Sequence, residues 1–236
     1  MSKIKKNRTP LYKQFITLRE NVQNRKKLLK FKRLKWKQLI LNYEKKLKRY
    51  KKFKPQDHNK YLVSKYPSKS TSYKKRYRNT LQSNKRFRLF YGGLPKRYLK
   101  KLLLFLSHKN KNLTMLLLET LERRLDVVLY RAKFGHSIQS ARQLIAHGKI
   151  LVNQKVAKSK STFLKTGDFI SVKNDISRLV VESNIKQANT WPIPPKHLQI
   201  NYKTMQIIFG KHENINLSQY FPFSLNLEQI VNNKQF

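Results

Sequence analysis

The chain has 236 residues and no cysteine, with 54 Lys+Arg against 11 Asp+Glu and a formal net charge of +43. The missing thiols exclude a disulfide framework and a thiolate zinc site, and the longest apolar runs, Leu102 to Leu106 and Met115 to Leu118, fall far short of the roughly twenty residues that span a bilayer. Self-repulsion at this charge density disfavours a compact protein standing alone, so a polyanionic partner is required.

The charge is uneven, with 37 Lys+Arg against three acids in residues 1–118 and 17 against eight in residues 119–236. The start Met1 to Lys6 is lysine-rich without the apolar core of a signal peptide, so no cleaved presequence is expected. Residues 1–54 are read as a basic helical region, helical from about Leu11 to Lys54, because Trp36, Leu39, Ile40, Tyr43, Leu47 and Tyr50 recur at three- and four-residue steps. That stripe either covers the core of its own domain or sets Trp36 or Tyr43 against a neighbouring protein or RNA. Lys26, Lys27, Lys30, Lys32 and Arg33 are nominated as a group for phosphate. Residues 55–84 turn polar, with Pro67 and four serines from Ser64 to Ser72, and read as a solvated linker or an extension ordered only by its ligand. In a helical body over residues 85–121, Pro95 sits in the first turn of a helix whose buried face is Tyr98, Leu99, Leu102, Leu103 and Leu106. Leu113, Leu116 and Leu117 extend that core.

From Glu122 the pattern sharpens. Leu121, Leu125, Val128, Leu129 and Ala132 share a helical face while Arg123, Arg124, Arg131 and Lys133 point elsewhere, and Gly135 is expected to break the helix. Ser137 then caps a second helix of about three turns, with Ile138, Ala141, Leu144 and Ile145 inward and Gln139, Arg142 and Gln143 on another face. Gly148 is a left-handed stop after His147. Beyond it the period becomes two: Ile150 and Val152 alternate with Leu151 and Asn153, and Val156 follows an Asn153-Gln154 break, which predicts a hairpin. A helix N-terminus offers unpaired N-H groups and partial positive charge, so phosphate is its favoured visitor.

Arg124-Leu125-Asp126, Ala141-Arg142-Gln143-Leu144, His147-Gly148 and Val152-Asn153 resemble, in order and spacing, the S4 domain, the RNA-binding module of small-subunit ribosomal protein S4. Lys165 to Val172 is similar to that family's closing turn and strand, with Gly167 at a positive φ. Upstream, Arg88-Leu89-Phe90-Tyr91-Gly92-Gly93-Leu94 matches the family's approach to this helix. Downstream, Thr190-Trp191-Pro192, a strand-like run from His197 to Phe209 and Asn226 to Val231 keep the order of its tail. The resemblance runs from about Arg86 to the end, weakest in the tail. It implies an α+β fold: a mostly helical body, an inserted S4 domain at residues 122–186 and a strand-containing tail at 187–236 packing on the body. Some bacterial members carry a cysteine zinc knuckle, from which this chain departs, and neither a metal nor a cofactor is expected.

Basic residues spread over more than a hundred positions and interleave with Tyr, Phe and Trp, which suits RNA better than a membrane surface, since rings and guanidinium planes stack on bases while ammonium groups meet phosphates. The candidate rRNA ligands in the module are Arg123, Arg124, Arg131, Ser137, Gln139, Arg142, Gln143, His147, Lys149, Asn153 and Lys155. One of Arg123 and Arg124 can instead pair with Asp126 or Glu122, His147 can cap its helix, and Ser137 is mainly a cap. Six scattered histidines form no ligand pair at helical spacing, and no nucleophile elbow or phosphate loop is present. A pseudouridine synthase carrying the domain needs a further catalytic domain with an aspartate nucleophile; Asp126 and Asp168 instead occupy structural positions.

The resemblance implies a non-enzymatic constituent of the small ribosomal subunit that binds the 5′ domain of its rRNA, supports assembly, and lies near the mRNA entry region beside small-subunit proteins three and five. It is not expected to form homo-oligomers. The alternative is an assembly or recycling factor that visits ribosomes transiently. Lysine excess with abundant Asn, Ile, Phe and Tyr, zero cysteine and the long basic extension point to an organelle-encoded mitochondrial member in preference to a plastid or bacterial one.

Overall fold

The computed structural model describes residues 16–18, 22, 37–38, 40–42, 73–109, 112–173, 175–186, 194–211, 221, 223, 225 and 227–232. They fall into two units: residues up to Phe90 with the C-terminal described residues from Phe221 onward, and residues from Tyr91 to Lys211. Trp36, Leu39, Tyr43, Leu47, Tyr50 and the nominated group Lys26, Lys27, Lys30, Lys32 and Arg33 lie outside the described residues, whereas Ile40 is helical and half-buried.

The first unit is built on α1 (Tyr73–Phe90). Its extent corrects the reading of residues 55–84 as a linker, since the last twelve of them are helix. The segment contains neither glycine nor proline and is rich in Lys and Arg, both good helix formers. Among its described side chains the buried ones, Ser83 and Phe87, lie four apart, but only one is apolar, so hydropathy alone misses the period. The Arg86 guanidinium donates to the Leu18 carbonyl at 2.7 and 3.2 Å. Phe90 packs its ring at 4.9 Å from Phe221 and 5.7 Å from Phe223.

The second unit opens with α2 (Lys96–Ser107), which buries Leu99, Leu102, Leu103 and Leu106. Pro95 stands one place outside, as N-cap in extended conformation. The Asn112 side chain caps α3 (Leu113–Glu122) by accepting from the Thr114 N-H at 3.1 Å. Next comes α4 (Leu125–Arg131), which stops earlier than the sequence suggests. Lys133, not Gly135, takes the left-handed conformation at φ +64, and the Phe134 N-H returns to the Leu129 carbonyl at 3.0 Å while Phe134 is buried, a closure that needs an apolar residue just past the turn. Gly135 serves another purpose, because a Cβ there would meet the Ala141 backbone nitrogen at 3.0 Å.

Ser137 caps α5 (Ile138–Ala146), its hydroxyl accepting from the Ser140 N-H at 3.2 Å, and Gly148 ends it at φ +64. Its nine residues make two and a half turns where three were expected. The hairpin follows as β1 (Ile150–Val152) and β2 (Lys155–Val156), joined by Asn153 and Gln154 at φ +48 and +66, the two left-handed residues of a type I′ turn. Then come β3 (Phe169–Val172), α6 (Asp175–Lys186), β4 (Leu198–Asn201) and β5 (Gln206–Phe209). All five strands form one antiparallel sheet in the order β2-β1-β3-β5-β4. The run from His197 to Phe209 therefore extends the sheet of the S4-like module and lies in one unit with it, a pairing that the sequence pattern does not reveal. The sequence reading assigns no element to residues 175–186, yet α6 closes the core with Val181, and the Asn184 amide donates to the Phe134 carbonyl at 2.9 Å.

One core joins these parts: Leu125, Val128 and Leu129 of α4, Ala141, Leu144 and Ile145 of α5, and Ile150, Ile170, Val172, Leu198, Ile207 and Phe209 from one face of the sheet. Each of the Leu, Ile, Val and Phe side chains contributes about 1.5–3 kcal/mol on burial, so the helix pair is seated firmly on its sheet. The last helix, α7 (Leu227–Asn232), returns to the first unit and packs on α1 with Leu227 and Ile230 buried.

Candidate nucleic-acid interface

Two buried carboxylates organise the cations of the second unit. Asp126, with its side chain 0% exposed, accepts from Arg124 Nε and Nη2 at 3.1 and 3.0 Å and from Arg142 Nε at 2.7 Å. Arg142 continues to the Gly92 carbonyl at 2.6 Å and the Tyr91 carbonyl at 3.0 Å, tying α5 to the turn that precedes α2. Arg124 also donates to the Tyr98 hydroxyl at 2.9 Å and lies 5.2 Å from the centre of its ring. Burying three charges is favourable only when their hydrogen bonds are filled, and the geometry supplies those bonds.

Glu122 accepts from Arg131 Nε and Nη2 at 3.1 and 2.8 Å and from the Tyr91 hydroxyl at 2.9 Å. Burial by itself pushes the Glu122 carboxyl up, but the Arg131 charge and these hydrogen bonds outweigh it and hold the group below the usual carboxylate range, while Arg131 is raised in turn. A carboxyl with a depressed folded pKa stabilises the fold above its unfolded value, near about 4.3, and loses that contribution as pH falls through the folded value. Wild type is therefore expected to exceed Glu122→Gln in urea stability at pH 7, with the gap narrowing on acidification below pH ~4. A gap independent of pH would contradict the pairing.

Gly92 and Gly93 both adopt positive φ, at +75 and +76. A Cβ on Gly92 would meet Ile138 Cγ2 at 2.7 Å and Arg142 Nη2 at 2.8 Å, whereas one on Gly93 meets nothing within 4 Å. Because Arg142 is anchored by three acceptors, it cannot swing aside. Gly93→Ala should cost about 1 kcal/mol for the left-handed backbone alone, and Gly92→Ala at least about 1–3 kcal/mol more for overpacking, measured as the difference between their unfolding midpoints.

The predicted ligands thus divide. Arg124, Arg131 and Arg142 are bonded internally, with side chains 4%, 16% and 13% exposed, so Arg142 does not share the exposure of Gln139 and Gln143, with which its helical position groups it. The cause is Asp126, which collects two guanidinium groups that sequence separation hides from each other. Arg123 donates through Nε to the Leu164 carbonyl at 2.9 Å and stays half-buried. Ser137 is committed to its cap. Gln139 reaches the Gly92 carbonyl at 3.0 Å. Asn153 is exposed, but its amide donates to Asp168 at 3.0 Å and its oxygen accepts from the Phe169 N-H at 2.9 Å, pinning the hairpin to β3. Gln143, His147 and Lys155 are exposed and Lys149 is half-buried, around the end of α5 and the hairpin. Sequence reasoning missed Tyr91 and Tyr98 as partners of these charges; the only signal was their place in the Tyr91-Gly92-Gly93 turn and the first turn of α2. Among the described residues no group of His, Asp and Glu could hold a metal ion, and no helix is long and apolar enough to cross a membrane.

Capped helices α4 and α5 laid on an antiparallel sheet, with a basic hairpin at their edge, define an S4 RNA-binding domain, and the family described as S4 domain matches residues 123–170. A small ribosomal subunit protein uS4m of Reclinomonas americana is 32% identical over 187 residues, 72% of this chain and 71% of the relative. The uS4m of Marchantia polymorpha is 32% identical over 63% of this chain and 74% of its own length, and the uS4 of Aquifex aeolicus is 31% identical over 64% and 71%. The chain belongs to the small ribosomal subunit protein uS4 family, mitochondrial type. It is a structural ribosomal protein that binds rRNA, and not an enzyme. A family described as Sex determination protein N terminal also matches residues 18–129, less than half of the chain.

Proposed function

We propose that this chain binds the 5′ domain of small-subunit rRNA in the mitochondrial ribosome, supports assembly of the subunit, and stays as a permanent component near the mRNA entry region beside small-subunit proteins three and five. The observation that carries the reading is the division of cations in the S4 domain. Arg124, Arg131 and Arg142 are consumed in holding the scaffold rigid, and Lys155, Lys158, Lys160 and Lys165 with Gln143 and His147 remain at the surface. Lysine is a compact point charge on a flexible stem, suited to phosphate met at varied angles. A rigid scaffold with phosphate-seeking edges reads the shape of a folded junction more than base identity. The lysine-rich front, with 37 of the 54 basic residues in positions 1–118, supplies further neutralisation where rRNA helices crowd.

Sedimentation of mitochondrial small subunits through a high-salt sucrose gradient tests this. One copy per subunit is expected. Substoichiometric recovery would favour the transient assembly or recycling factor instead.

A further inference from the structure

We propose that Phe163 is a stacking platform for one unpaired base of the bound RNA, an assignment that rests on the rRNA-binding reading above. A single exposed apolar side chain ordinarily needs no explanation. Phe163 differs in how it is held and in what surrounds it.

The backbone around it cannot yield. Thr162 accepts from the Leu125 N-H at 2.9 Å, and the Leu164 N-H donates to the Arg123 carbonyl at 2.8 Å, so Phe163 forms an antiparallel bridge with Arg124. Arg123 Nε grips the Leu164 carbonyl at 2.9 Å from the other side. Arg124 is itself fixed by Asp126, as described above. Leu164 is fully buried, and strand-like alternation across that anchor turns the next side chain outward, leaving Phe163 45% exposed. Upstream the loop is braced by its own hydroxyls, Thr162 Oγ1 donating to the Ser159 carbonyl at 2.9 Å. The ring is therefore offered on a rigid mount, so little ordering entropy is lost when a flat partner covers it.

The setting selects that partner. Lys158, Lys160 and Lys165 flank the ring in sequence and are all exposed, and no acidic residue occurs from Lys155 to Lys165. A partner that is flat and apolar on one face and anionic at its margin matches both features, which describes a nucleotide. Phenylalanine has no hydrogen-bonding group, so the contact tolerates any base, as stacking platforms do.

The test uses the full chain and a small-subunit rRNA transcript, with filter binding over a series of salt concentrations. Phe163→Ala is expected to weaken binding on the order of ten-fold or more at every salt concentration, with the slope of log affinity against log salt unchanged, because a ring displaces no counterions. Phe163→Trp and Phe163→Tyr should retain affinity, and Phe163→Leu should behave as alanine does. Lys158→Ala with Lys160→Ala should instead flatten the slope. Wild-type affinity for Phe163→Ala would overturn the assignment and leave the rRNA-binding reading standing. Binding by Phe163→Leu equal to Phe163→Trp would also overturn it, marking an apolar surface for a protein neighbour. A wild-type chain without salt-dependent binding would overturn both.

Discussion

Arg142→Glu is expected to unfold the second unit rather than merely weaken its grip on RNA. The substitution sets a carboxylate against Asp126, which is fully buried, and withdraws the donors from the Tyr91 and Gly92 carbonyls, now bonded at 3.0 and 2.6 Å. Removing one partner of a buried pair costs roughly 3–5 kcal/mol, and reversing its sign costs more, against a total stability of about 5–15 kcal/mol for a domain. Asp126→Ala should fall at the lower end of that loss, since Arg124 keeps the Tyr98 hydroxyl. Lys149→Glu provides the contrast: its side chain is half-exposed at the edge of the module, so the chain should stay folded while rRNA affinity drops. Urea denaturation followed by circular dichroism, paired with filter binding, separates the two cases. If Arg142→Glu unfolded with the wild-type midpoint and yet lost RNA affinity, Arg142 would be a ligand and not a lock.

Affinity for rRNA should collapse with salt. Six to ten phosphate contacts, a modest demand on a chain of net charge +43, predict a fall of about 10³- to 10⁵-fold between 50 and 200 mM salt. The physical origin is release of counterions condensed on the polyanion, a gain that shrinks as bulk salt rises. Residues 1–54 alone contain 21 Lys+Arg, and a salt titration of the full chain reads their contribution together with the rest. A flat response would mean that hydrogen bonds and packing, not charge, hold the complex, and the role given to the lysine-rich front would fail.

Local signals were legible. Ser137 and Gly148 delimit α5 because a cap hydroxyl and a left-handed glycine act within a few residues of themselves, and the same holds for the Asn153-Gln154 turn and Gly167 at φ +93. The apolar stripes of α2, α4 and α5 were legible because hydrophobic burial repeats with the helix. Where the stripe included a small polar residue, as at Ser83 in α1, the helix passed for a linker. The stop after α4 was misplaced by two residues because a lysine, not a glycine, took the left-handed turn.

The identity of this protein was determined by its sequence alone, since the order of Arg124-Leu125-Asp126, Ala141-Arg142-Gln143-Leu144 and His147-Gly148 and the excess of positive charge suffice to name an rRNA-binding S4 module. Which cations are left at the surface was decided only by the tertiary structure. Arg124, Arg131 and Arg142 look as available in a helical projection as any lysine, and what removes them is the convergence of Asp126, Glu122 and the Tyr91 and Gly92 carbonyls from distant parts of the chain. Side-chain charge is a property of the residue, but whether that charge is spent inside the fold depends on which partner the fold brings within about 3 Å.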